Sequence, residues 1–463
     1  MRLKDIAKIN ETNFRNDNFD NILYLDTSSA TKGVISNYLE FSSFNDLPSR
    51  AKRAVKDKTI VYSTVRPNLE HYAIFDKPQN NIVVSTGFAT IDTNINITEP
   101  KYIYYFLTQQ KITNQLHTIA MLNVSAYPSI NPSDLENLDI KLPPLPTQTA
   151  IAKTLSLLDD KITLNNKINA ELEEMAREIY EWYFVQNKKD DWEIKKLKDV
   201  IALQKNGDWG EEQSKGNYTK KVICIRGADI NALVGNEYFN APKRYILTKN
   251  TSKILQPNDF IIEISGGSPT QSTGRIAYLP MDLIKGFDTP LICSNFCKAI
   301  SLKSEDYFYW FYFLWQKLYS VGAFFGYEGK TSGIKNFLFD TFVESYDVII
   351  PPQKILQEFQ AIVKPMFDKI VTNRQENFEL ATLRDWLLPM LMNGQVVIKG
   401  GDINECKTIS LPIVEVEYQN FKEQIGLAAR GDIDEQTIQN IYKAHREKVG
   451  ERDGQSKNRK RRT

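Results

Sequence analysis

The chain has 463 residues, 42% of them hydrophobic and 25% charged, and its 58 basic and 57 acidic side chains leave a formal net charge of +1. That length holds two or three domains with cores of their own, and 24 Phe, 22 Tyr and 6 Trp exclude a disordered scaffold. A nucleic-acid-binding protein that works alone is basic on at least one face; a balance this close to zero keeps any positive face local or leaves part of it to a partner, which favours a subunit of a larger assembly. No run approaches the roughly 18 apolar residues of a membrane span, and MRLKDIAKIN has no apolar signal core. With four scattered cysteines (Cys224, Cys293, Cys297 and Cys406), a reducing, cytoplasmic location is expected.

In chain order, a first domain is expected over 1–142. It carries a basic cluster, Arg50, Lys52, Arg53, Lys56 and Lys58, then Arg66 in Ser63-Thr64-Val65-Arg66-Pro67, and two polar turn-like tips, Lys32-Gly33 and Ser85-Thr86-Gly87. Asn131-Pro132-Ser133-Asp134 lacks the second proline and the aromatic with which amino-methyltransferases hold a flipped base; it reads as a turn before a short helix. In KLPPLP (141–146) the prolines fix φ and hold their neighbours extended, ending a strand-like run and letting a helix begin. That helix is expected over 143–190. Along it Ile151, Leu155, Leu158, Ile162, Asn165, Asn169, Leu172, Ala176, Ile179 and Tyr183 recur in alternating steps of four and three, a heptad seam.

A second domain is expected over 191–350. Glu193-Ile194-Lys195 has no upstream Asp at nuclease spacing and reads as an amphipathic linker. SGGSPTQSTGR (265–275) reads as a hairpin whose glycines permit close backbone approach. Cys293 and Cys297, in a chain with three histidines, read as small residues of a core strand and not as a zinc site. GYEGKTSG (326–333) has Phe324 where a phosphate-binding loop requires its first glycine, which leaves a Lys-Thr-Ser tip and no nucleotide site. A second long helix is expected over 351–400 and a C-terminal extension over 401–463. In the extension Asp432 and Glu435 suit a capping box for a short helix, and Lys457–Arg462 reads as a basic tail expected to be disordered.

The two long helices are copies. Residues 143–172 align with 351–380 at an offset of 208, with identities that include Pro143/Pro351, Pro144/Pro352, Asp160/Asp368, Asn165/Asn373, Asn169/Asn377 and Leu172/Leu380. Upstream Asp139 matches Asp347, and Leu3-Lys4-Asp5 is echoed by Leu197-Lys198-Asp199. The second seam runs Phe359, Val363, Met366, Ile370, Asn373, Asn377, Leu380, Arg384, Leu387 and Leu391. The plan is domain, proline break, helix, twice over, with domains that look unlike each other. Asn in an apolar seam costs stability unless its amide is partnered, and it persists where it fixes register. Antiparallel pairing sets Asn165 and Asn169 against Asn373 and Asn377; the alternative is that these residues face solvent. The expected pairing residues are Leu155, Leu158, Ile162, Asn165, Asn169 and Leu172 with Val363, Met366, Ile370, Asn373, Asn377 and Leu380. A seam of about 33 residues spans about 50 Å, the length of about 14–15 base pairs, so the pair suits a ruler. Arg384, in place of Ala176, is expected to loosen the far end, as are Gln353-Lys354 in place of a second Leu-Pro.

LPPLPTQTAIAKTLSLLDDKITLNNKINAELEEMAREIYEWYF (142–184) resembles the central conserved region of type I restriction–modification specificity subunits, and PPQKILQEFQ (351–360) through LLPMLMNGQV (387–396) resembles their distal one. LPSRAKRAVKDKTIVYSTVRPNL (47–69) with VVSTGFATI (83–91), and EISGGSPTQSTGRIAYL (263–279), are similar to two types of target recognition domain. The resemblance covers about residues 1–400. It implies an α+β fold, two target recognition domains joined by two long antiparallel, coiled-coil-like connector helices in a pseudo-twofold tandem repeat. Each domain would read half of a split, asymmetric site in double-stranded DNA. Two adenine N6-methyltransferase subunits and translocase–nuclease subunits would be partners. S-adenosylmethionine, ATP and magnesium would sit on those partners, with no catalytic residue, metal site or cofactor on this chain. Arg forks onto guanine O6 and N7, while Lys and hydroxyls mostly hold phosphates. DNA contacts are therefore expected from Lys32, Arg50, Lys52, Arg53, Arg66 and Thr86 in the first domain, and from Arg226, Lys243, Arg244, Arg275, Lys330 and Thr331 in the second. The alternative is the DNA-recognition subunit of a fused methyltransferase–nuclease (type IIB-like) system.

Overall fold

A computed structural model describes residues 1–15, 19–123, 127–235, 241–266, 271–280, 284, 287–331 and 334–395, with the side chains of 330 and 331 excepted. The C-terminal extension, including Cys406, the capping box and the basic tail, lies outside the described residues, as do residues 396–400 of the second expected helix. The chain divides into two compact units. One is Met1–Ile162 with the described chain from Glu379 onward; the other is Thr163–Phe378.

In the first unit, short β-branched and aromatic runs form two sheets. One is antiparallel in the order Ala7–Ile9, Phe88–Thr93, Ile60–Ser63, Tyr72–Ile74. The other runs Leu39–Phe41, Ile22–Leu25, Ile82–Ser85, Ala51–Ala54, and its central pair is parallel. Ile60–Ser63 and Ile82–Ser85 are buried along their whole length, so they read as continuous apolar runs and not as alternating ones. The helix Pro100–Leu107 starts on a proline, where no intrahelical donor is lost, and turns Tyr102, Ile103 and Leu107 into the core. Ile151, Ala152 and Leu155 of the first long helix and Leu388, Leu391 and Met392 of the second close that core.

The second unit repeats this connectivity, except that Ala51–Ala54 has no counterpart among its described residues. Its antiparallel sheet orders Ile201–Asn206, Cys297–Leu302, Phe260–Glu263, Ile276–Tyr278. Its second sheet, Lys243–Leu247, Tyr218–Ile225, Leu291–Cys293, again contains one parallel pair. Domains that look unlike in sequence thus share one strand order. The helix Phe308–Ser320, equivalent to Pro100–Leu107, buries a nearly continuous aromatic run, and its Trp315 Nε1 donates to the Gly274 carbonyl at 2.7 Å. Leu172 to Phe184 and Leu356 to Ile370 supply the long-helix side of this core.

The Leu-Lys-Asp echo closes each unit. Leu3–Asp5 and Leu197–Val200 are 3-10 turns with Leu3 and Leu197 fully buried. Asp5 accepts from the Arg2 amide (2.7 Å) and Asp199 from the Lys196 amide (3.1 Å). Ahead of each proline break the chain returns to pair with this start, Asp139 bridging Arg2 and Asp347–Ile350 pairing antiparallel with Glu193–Lys196. Glu193-Ile194-Lys195 is therefore a strand and not a linker; its backbone groups find ladder partners far away in sequence. Pro132–Glu136 is a short helix whose Asp134 accepts from the Asn131 amide at 2.7 Å.

The first long helix spans Leu145–Glu181 and runs on into a π-turn at Trp182–Gln186; the second spans Gln353–Asn393. They lie antiparallel. Asn373 Nδ2 donates to Asn169 Oδ1 at 2.8 Å, and Asn165 Nδ2 to Asn377 Oδ1 at 2.9 Å and Glu376 Oε2 at 2.8 Å. Asn377 Nδ2 in turn donates to Asn166 Oδ1 at 2.7 Å. Leu155, Asn165, Asn169, Leu172, Val363, Met366, Ile370 and Asn373 are buried, while Leu158, Ile162, Asn377 and Leu380 are half-buried.

Arg384 does not loosen its end of the pair. Its Nη1 donates to Asp159 at 2.8 Å, and Asp159 also accepts from Tyr105 Oη at 2.6 Å. Burial opposes the charge on Arg384, but Asp159 and Asp385 outweigh it and hold its pKa above the usual arginine value. An ionic side chain that brings its counter-ion with it ties two helices where an unpaired one would part them. None of the described helices is long and apolar enough to cross a membrane.

Candidate nucleic-acid interface

In the first unit, the loops that leave Ile60–Ser63 and Ile82–Ser85 and the one that enters Ala51–Ala54 are laced together. Thr86 N donates to Arg50 O (2.7 Å), Thr64 N to Gly87 O (2.8 Å) and Arg66 N to Pro128 O (2.8 Å). These bonds bring Arg50, Thr86 and Arg66 to one edge. Lys32 joins them on a two-residue turn between Ala30–Thr31 and Val34–Ile35, docked by Lys32 N to Glu70 O (2.9 Å) and Gly33 N to Tyr72 O (3.0 Å). Both turn residues have positive φ, 49° and 86°, as the tightest hairpins require. At Gly33 a Cβ would also lie 2.4 Å from Tyr104 Oη.

The charges at this edge are not equivalent. Arg50 and Lys52 are exposed. Lys32 pairs with Glu70 at 3.0 Å, and Arg66 lies 5.1 Å from the centroid of the exposed Tyr127 ring. Arg53 is half-buried, which lowers its pKa, and its Nε is buried with no hydrogen-bond partner among the described residues. Lys56 pairs with Asp92 at 3.1 Å and Lys58 with Asp76, so the basic cluster splits into a solvent-facing part and a part neutralised by its own unit.

In the second unit the same splitting is sharper. Lys243 is exposed. Arg226 gives Nε and Nη2 to Asp229, both at 2.8 Å. Arg244 is 6% exposed; it donates to Trp209 O (3.0 Å), Gly210 O (3.2 Å) and Glu212 (3.1 Å) and lies 4.3 Å from the Trp209 ring centroid. Arg275 forks onto Glu263 at 2.9 and 2.7 Å and reaches Asn231 Oδ1 and Gly227 O. Arg244 and Arg275 therefore hold loops in place from inside. Lys330 and Thr331 sit in the strand Glu328–Thr331, paired with Ile334–Phe337; their side chains lie outside the described residues.

The segment 264–275 does connect a hairpin, formed by Phe260–Glu263 and Ile276–Tyr278. Its start, however, is drawn into another sheet, Ser265 and Gly266 pairing with Asn336 and Lys335. Beside it opens a cleft of about 510 Å3 lined by Trp209, Arg226, Glu263, Ser265 and Phe296 among others. Trp209 and Phe296 were not picked out by sequence reasoning, because an aromatic in a loop carries no periodic signal.

Burial pushes the thiols of Cys224 and Cys297 up to about 12, so they stay neutral core groups. Among the described residues, no three or more His, Cys, Asp or Glu side chains are grouped to hold a metal ion. What these edges offer is guanidinium, ammonium, hydroxyl, amide and aromatic groups on rigid loops, the set that contacts phosphates and base edges.

Comparison with known proteins points the same way. The type I restriction modification DNA specificity domain matches residues 1–174 and again 189–381. The chain is 24% identical over 455 residues to the type I restriction enzyme HindI specificity subunit of Haemophilus influenzae, covering 85% of this chain and 98% of that one. It is 25% identical over 394 residues to the MjaIX specificity subunit of Methanocaldococcus jannaschii, covering 76% and 83%. Among solved structures, the S subunit of a type I system from M. genitalium aligns at 15% identity with a TM-score of 0.49, over 84% of this chain and 95% of that one. The HsdS subunit from Thermoanaerobacter tengcongensis aligns at 18% identity with a TM-score of 0.35, over 86% and 96%.

Proposed function

We infer the function from the premise that the chain belongs to the type I restriction–modification DNA specificity family. It is the DNA sequence-specificity subunit of a type I complex, a recognition subunit without catalysis of its own. Each unit reads one half of a bipartite, asymmetric site in double-stranded DNA. Arg50, Lys52, Arg66, Thr86 and Lys32 form the contact edge of the first unit, and Arg226 and Lys243 that of the second. Arg53 serves the first edge from a half-buried position. Arg244 and Arg275 position the second unit's loops without touching DNA. We take 1–142 and 191–350 as the target recognition domains.

The observation that carries this reading is the duplication. One strand order occurs twice, and each copy presents different side chains on corresponding loops, which is what reading two unlike half-sites with one scaffold needs. Two adenine N6-methyltransferase subunits dock on the connector helices. Translocase–nuclease subunits complete the assembly. S-adenosylmethionine, ATP and magnesium act on those partners, in the cytoplasm. The test is an exchange of residues 193–350 for the matching segment of a relative with a different target. One half of the methylated motif should change and the other stay; a change in both halves, or in neither, contradicts the assignment.

A further inference from the structure

The two units can be superposed in connectivity, and this picks out a tip that carries no charge. In the first unit the turn between Ile82–Ser85 and Phe88–Thr93 is Thr86-Gly87, at the candidate edge. The corresponding turn in the second unit, between Leu291–Cys293 and Cys297–Leu302, is Ser294-Asn295-Phe296. Ser294 is buried and its amide donates to Ile225 O at 2.8 Å, while Cys297 N closes the turn on Ser294 O at 2.9 Å. Phe296 O accepts from the amides of Ile264 (2.9 Å) and Ser265 (3.2 Å). Gly207 packs so closely beneath that a Cβ there would fall 1.9 Å from Ser294 O. The backbone is thus pinned on three sides, yet Asn295 is exposed and Phe296 is 53% exposed over the cleft shared with Trp209, itself 38% exposed.

A rigid turn that holds an amide and a phenyl ring out of the protein is organised for a surface met from outside. Lys243, beside the end of Tyr218–Ile225, gives that face a positive charge to meet a polyanion, while Arg226 is held on Asp229. Resting on the DNA-recognition reading above, we propose that Asn295 and Phe296 are specificity-determining residues of the second half-site. The Asn295 amide pairs with the N6 and N7 edge of an adenine in the major groove. The Phe296 ring covers the C5-methyl of a neighbouring thymine.

The experiment maps N6-methyladenine motifs, and measures competition between single-base variants of the site, in complexes assembled with the methyltransferase subunits. Asn295→Ala lowers discrimination at one adenine of the second half-site by about five- to 150-fold and leaves the first half-site unchanged. Asn295→Asp moves the preference at that position toward cytosine, whose N4 donates to a carboxylate. Phe296→Ala weakens preference for the adjacent thymine. Because both side chains are exposed, elution of the complex and its melting temperature match the wild type. Discrimination within twofold of wild type in all three variants overturns the proposal while the DNA reading stands. A wild-type complex that yields no motif dependent on this chain overturns both.

Discussion

At the scale of single residues, the same guanidinium serves opposite ends according to what surrounds it. Arg244 is enclosed by Trp209, Gly210 and Glu212, whereas the ammonium of Lys243, the preceding residue, is exposed. Lys243→Ala should weaken DNA binding across all sequences and reduce the slope of log affinity against log salt by about one, with no change in melting temperature. Arg244→Ala should do the reverse. It should cost stability, on the order of 2 kcal/mol for hydrogen bonds to a charged group, seen as an earlier thermal transition in the isolated chain. This partition is not legible in sequence. Arg226, Arg244 and Arg275 are alike as letters; what separates them is Asp229, three residues along a local turn, and Trp209 and Glu263, brought near by strand pairing. Arg384 teaches the same lesson, since Asp159 lies on the other long helix.

At the scale of elements, the long helices are legible because their order is periodic. A seam of alternating fours and threes, interrupted by Asn at equivalent places in two copies, determines which faces meet and in which register. The hydrogen bonds among Asn165, Asn166, Asn169, Asn373 and Asn377 make that register costly to change. Asn373→Leu should remove the donor that the buried Asn169 side-chain carbonyl accepts from and lower stability by about 1–3 kcal/mol. Asn169→Leu combined with Asn373→Leu should recover most of it, because two apolar side chains replace two partnered amides. Paired thermal melts of the single and double variants decide this; an additive double variant would mean that the two amides do not depend on each other. The sheets were less legible. Their strands are two to eight residues long, the central ones Ile60–Ser63, Ile82–Ser85 and Phe260–Glu263 are buried along their whole length, and the loops between them change length. The copy therefore drifts in register between Ala7/Ile201 and Phe88/Cys297, and the shared strand order disappears from a residue-by-residue alignment.

For the whole molecule, a net charge of +1 and a duplicated architecture point to a protein that supplies sequence reading to an assembly whose chemistry lies elsewhere. The Leu-Lys-Asp turns and their returning strands close each unit on itself, which is how one scaffold carries two unlike recognition surfaces. The most direct measurement is N6-methyladenine mapping after co-expression of this chain with its methyltransferase subunit, with the complex sized by chromatography and mass detection. The expected result is a complex of two methyltransferases per chain that marks one split, asymmetric motif, absent when this chain is omitted. A chain that elutes alone, with methylation that does not depend on it, would mean that it is not a specificity subunit acting through methyltransferase partners.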